Sequence, residues 1–128
     1  MEFINPGFES FQNLSNEIEY FEYITNEYER TVDLSDSQIN INITQSNAPK
    51  IHDAAMSILA TTKSMRTRIV DTVKTMKQQI KDNNASSLLS RLEKVEKKFM
   101  GLLDRMESNM NTMINRSASV IQGSVNAA

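Results

Sequence analysis

His52 is the only histidine in the chain, and Asp53 follows it directly. A histidine beside a carboxylate is the pair from which general-base chemistry is built. Its place near the start of a helical pattern makes it a surface residue rather than a catalytic base. Two carboxylate pairs, Glu93 with Glu96 and Asp104 with Glu107, have the spacing of one helix face. Both are interleaved with Lys and Arg, so they read as a solvated face with ion pairs three or four residues apart. No His, Asp and Glu cluster has metal-ligand spacing. The three glycines, Gly7, Gly101 and Gly123, are isolated, so no phosphate-binding loop is present. The residues point to no catalysis, no metal and no cofactor.

Charge argues for association instead. Residues 1–48 hold nine acids and one base, Arg30, while residues 49–128 hold thirteen bases and seven acids. Such asymmetry suits intramolecular docking, head-to-tail association, or a charged partner for each half. The basic half is only moderately dense and contains a single aromatic, Phe99, so nucleic-acid binding is not expected. There is no cysteine and hence no disulfide framework. No apolar run approaches the ~18 residues of a membrane span. The first residues, MEFINPGFESF, lack a basic leader and an apolar core, so no cleaved Sec signal is expected.

With three Gly and two Pro in 128 residues, long uninterrupted helices are the natural reading. An all-α fold follows, read as two parts: an acidic, aromatic anchoring segment at 1–48 and a helical hairpin at 49–128. After an extended lead-in with a turn at Pro6-Gly7, the spacing of Phe11, Leu14, Ile18, Phe21 and Tyr28 predicts an acidic amphipathic helix over about 10–31. Residues 33–48 look irregular. Within them Ile39, Ile41 and Ile43 alternate with Asn, a pattern of either a flexible linker or a short strand over 38–44 that would pair with another molecule. Pro49 suits the first turn of a helix over about 50–82. Its seam is Ile51, Ala55, Ile58, Thr62, Met65, Ile69, Val73, Met76 and Ile80. Asp82-Asn83-Asn84 breaks the pattern, and Asn84 or Ser86 could cap the next helix. That helix, about 86–122, carries Leu88, Leu92, Val95, Phe99, Leu102, Met106, Met110, Met113 and Ile121. So short a connection makes the two helices antiparallel neighbours.

Leu88 with Leu89, Leu102 with Leu103, and Met113 with Ile114 widen the last stripe beyond one seam. Two helices cannot bury it alone, so the acidic helix must cover it in cis, or other copies of the chain or a different helical protein must do so in trans. The residues expected to meet a partner are Phe8, Phe11, Phe21, Tyr28, Ile39, Ile41, Ile43, Leu92, Phe99, Met106, Met110, Met113 and Ile121. On this reading an Asp at Leu92 or Phe99 would abolish assembly by burying an unpaired charge.

The segments APKIHDAAMSIL (48–59), KDNNASSLL (81–89) and NRSASVIQGSVNAA (115–128), set after an acidic N-terminal region, resemble the inner-rod, or needle-adaptor, proteins of bacterial type III secretion systems. In that family a turn with Asn or Asp precedes a Leu-rich start of the last helix, and Asn83, Asn84, Leu88 and Leu89 stand in those places. The resemblance implies a structural subunit secreted without a cleaved signal and assembled in an envelope complex; without it, a cytoplasmic chain is the expectation. Its partners would be export-apparatus proteins, the secretin and needle subunits. Two other roles fit the same residues: a chaperone or adaptor for a helical client, and a viral or phage coiled-coil structural protein.

Overall fold

The computed structural model describes the backbone of residues 6–127 and the side chains of residues 11–123. Every regular element is helical: α1 Pro6–Gln38, α2 Ala48–Asp82 and α3 Leu89–Ala127, with a short 3-10 turn at Ser86–Leu88 ahead of α3. No strand occurs among the described residues.

α1 is longer at both ends than the apolar spacing predicts. Pro6, expected in an extended lead-in, is its first residue; proline's fixed φ and missing N–H suit that position. At the other end the buried stripe continues through Val32 and Ser35. Thr25, inside the predicted span, and Ser35, beyond it, are the polar members of this stripe, and a polar residue at 35 adds little to a hydrophobic count. Their hydroxyls donate to carbonyls of the preceding turn, Phe21 at 2.6 Å and Val32 at 2.7 Å, so both can be buried without an unmet hydrogen bond.

The loop to α2 corrects the strand reading. Residues 41–44 have no regular structure, and Ile41 is exposed. The Arg116 guanidinium of α3 donates to the carbonyls of Ile39 and Ile41. Two acceptors that a pairing strand would need are therefore taken within the chain. Asn47 tightens the loop further: its Oδ1 accepts from the Thr44 N–H at 2.7 Å, and its Nδ2 donates to the Asn42 carbonyl at 3.1 Å.

α2 stops at a left-handed residue, Asn84, with φ 52°. The Ala85 N–H donates to the Ile80 carbonyl at 2.9 Å and the Asn84 N–H to the Lys81 carbonyl at 3.3 Å. This is a Schellman ending, and both Ile80 and Ala85 are buried beside it in the same apolar cluster. Neither Asn84 nor Ser86 caps the following turn through its side chain; Ala85 holds the capping position.

Ion pairs give the helix directions. Arg66 reaches Asp104 and Glu107, and Lys77 reaches Glu96, so α2 and α3 run antiparallel. Arg91 reaches Glu22 and Arg105 reaches Asp36, so α1 runs parallel to α3. α1 thereby closes a three-helix bundle in cis. Leu14, Ile18 and Phe21 pack with Val73, Leu92, Phe99 and Leu103, while Val32 packs with Ala55, Leu102 and Met106. The Phe99 ring lies 5.7 Å from Phe21 and 5.2 Å from Tyr28. Phe99→Ala is expected to cost about 3–5 kcal/mol of stability in urea denaturation. A loss below about 1.5 kcal/mol would show that α1 and α3 do not share this aromatic core.

Candidate functional site

The seam between α1 and α3 is built from charges at seven-residue intervals. Glu22, Glu29 and Asp36 on α1 meet Arg91, Lys98 and Arg105 on α3. Arg91 grips Glu22 with both arms, Nη2 to Oε1 at 2.5 Å and Nε to Oε2 at 3.1 Å. Lys98 Nζ lies 3.5 Å from Glu29 and donates to Asn26 Oδ1 at 3.0 Å. Arg105 reaches Asp33 at 2.9 Å and also Asp36. A half-exposed pair such as Arg91–Glu22 contributes only about 0.2–1 kcal/mol. Together with the Lys98 and Arg105 pairs it holds α1 alongside α3.

Below the ladder sits a buried polar contact. Asn109, only 8% exposed, donates through Nδ2 to Ser35 Oγ at 2.8 Å and to Asp36 Oδ1 at 2.5 Å. Those bonds and the Arg105 guanidinium hold the Asp36 carboxyl below its ordinary pKa. Because the folded-state value is depressed, Asp36 stabilises docking at neutral pH and down to the usual aspartate range. That contribution is lost as pH falls below about 4.

The seam between α1 and α2 is different. Among the described residues no salt bridge joins them. Tyr28 crosses toward the Thr62 hydroxyl, and desolvation by burial pushes the Tyr28 phenol above its usual pKa. On either side of that contact the helices part. A groove of about 600 Å³ runs between Tyr20, Phe21 and Ile24 of α1 and Ile69, Thr72 and Met76 of α2. A smaller hollow of about 150 Å³ lies further along, between Ser35 and Gln38 of α1 and Ala54 and Ile58 of α2.

Many residues expected to meet a partner are in the molecule's own core. Phe21, Leu92, Phe99, Met106, Met110 and Met113 are buried in the bundle. Phe11 and Tyr28 are partly buried against it, as is Ile39. Ile43 and Ile121 are half-buried and Ile41 is exposed. The Phe8 side chain lies outside the described residues. An Asp at Leu92 or Phe99 would therefore strike the fold before any partner. The ladder was the signal missed: seven-residue spacing of acids in 22–36 and of bases in 91–105 marks two helices that pair.

Among the described residues no three His, Asp or Glu side chains gather as a metal ion would require. None of the described helices is long and apolar enough to cross a membrane. Comparison with protein-family models, curated proteins and solved structures finds no match.

Arg91→Glu sets a second carboxylate against Glu22 and is expected to cost about 1 kcal/mol. Adding Glu22→Arg should restore most of it, as a double-mutant cycle will read. No recovery would mean the pair does not form. In acid titrations followed by circular dichroism, Asp36→Asn should flatten the loss of stability below about pH 4. An unchanged acid slope would remove Asp36 from the account.

Proposed function

We propose that the chain is a non-catalytic structural subunit that joins a larger assembly by packing helix against helix. The observation that carries this reading is the contrast between its two α1 seams. The α1–α3 seam is sealed by charges and a buried amide, whereas the α1–α2 seam is an open apolar groove with Tyr20 at its rim. A groove between two helices fits the ridge of a third, as in a four-helix bundle.

The sharpest form of this role is the inner rod of a type III secretion system. The order of helix, Asn-containing turn and Leu-rich last helix over residues 48–127 supports it. The chain would then leave the cell without a cleaved signal and sit in the envelope complex. There it would contact export-gate, secretin and needle proteins. A second reading is a chaperone or adaptor. It is favoured by the half-exposed ion pairs that hold α1, since a charged client helix could exchange with α1 on the hairpin.

The test is fractionation of the native host. Tagged chain should sediment with an envelope assembly and be found in isolated needle bases. Thr72→Glu in the groove and Ile58→Glu in the smaller hollow, both at exposed positions of the α1–α2 seam, should prevent incorporation while leaving the helical spectrum unchanged. If the chain sediments only as a small free species, the assembly role fails. If it instead holds a secreted helical protein in the cytosol, the chaperone reading replaces it.

A further inference from the structure

Helix α1 carries two seven-residue patterns. The core stripe runs through Leu14, Ile18, Phe21, Thr25, Tyr28 and Val32. Two positions along runs a second set with the same alternation of four and three: Asn16, Tyr20, Tyr23, Glu27, Arg30 and Leu34, all exposed. A two-residue offset is a rotation of about 200°, so this stripe lies on the outer side of α1, with Asn16 and Tyr20 also bordering the α1–α2 groove. Tyr20, Tyr23 and Leu34 are 65%, 60% and 57% exposed, three of the seven large apolar side chains that stand exposed among the described residues. The two tyrosine rings are stacked with centroids 6.4 Å apart. Single exposed apolar residues are ordinary, but three in one heptad line form a surface.

We infer that α1 pairs through this stripe with α1 of a second copy of the chain, antiparallel. The charges select both occupant and direction. A parallel pair would stack Glu27 on Glu27 and Arg30 on Arg30. In an antiparallel pair each stripe position meets the complementary one. Tyr23 then faces Leu34 of the second copy and Glu27 faces its Arg30, and the two-fold axis repeats each contact. Arg30 is the one base in residues 1–48. Its neighbour in the free chain is Glu27 at 3.7 Å, with the Arg30 side chain 81% exposed, so it is free to turn outward. The overlap from Tyr20 to Ser37 is ~27 Å long. One helix pair of that length falls in the small, transient class of interface. The inference rests on the assembly role and deepens it by naming a second copy as partner.

The chain has no cysteine, which makes cross-linking clean. Tyr23→Cys and Leu34→Cys are introduced in separate full-length chains, mixed and oxidised. The mixture should form a disulfide-linked dimer several-fold faster than either variant alone. No cross-link, or equal cross-linking in the single-variant samples, overturns the pairing. In sedimentation, Glu27→Arg and Arg30→Glu should each weaken self-association by about tenfold, and mixing the two should restore it. Variants that associate as the parent does would also overturn it. Entry into the host's assembly without the Tyr23–Leu34 cross-link removes this inference alone. A cross-linked dimer that never enters a larger assembly removes the structural role alone.

Discussion

The fold depends on the register of α1 against α3. Arg91 with Glu22 and Arg105 with Asp36 both join residues 69 apart, and Lys98 with Glu29 keeps the same offset. Yet the ladder cannot fix that offset alone. Slipping α1 by one heptad would still set Lys98 against Glu22 and Arg105 against Glu29. It would also bring Tyr28 to the place of Ser35, facing Asn109. Asn109 would then lose the small hydroxyl it bonds inside the core, and the Tyr28 ring would have to enter a buried site that holds a serine, an overpacking that costs about 1–3 kcal/mol. Charges thus hold α1 to α3, and the buried contact of Asn109 with Ser35 chooses its step. A single polar residue inside an apolar seam is a familiar device for fixing register.

The register has consequences at both ends of the bundle. At one end it places Phe21 and Tyr28 on Phe99, so the aromatics of the acidic half fill the core of the basic half. At the other it brings the loop over Arg116, which binds two of its carbonyls. α2 gains much less from α1. The contact through Tyr28 and Thr62 is flanked by a groove and a hollow, and no salt bridge reinforces it among the described residues. Local opening is expected to start where apolar contact is sparse, and that is this seam.

The helices themselves were legible because apolar spacing and punctuation agree. Pro49 lies in the first turn of α2, and Asn84 takes the left-handed conformation that ends it. What escaped was mostly the side-chain pairing between distant residues. Ile39, Ile41 and Ile43 alternate as a strand does, but local alternation says nothing about an arginine 75 residues away that binds the Ile41 carbonyl. Glu22 and Glu29 look like solvated acids until Arg91 and Lys98 are set beside them. Methionines at 106, 110 and 113 suit either a core or an adaptable surface, and composition does not separate the two.

α1 also has to choose between its own two faces. Turning the Tyr20, Tyr23 and Leu34 stripe inward would bury Glu27 and Arg30 with it. It would expose Leu14, Ile18, Phe21 and Val32 and break the ladder on the α3 side. Burying a charge without a well-placed partner costs several kcal/mol, more than the three apolar side chains could return. Glu27 and Arg30 therefore act against the inverted packing whatever they meet in solution. A pair of charges in the middle of that stripe keeps it facing outward, where a surface of matching charge can cover it.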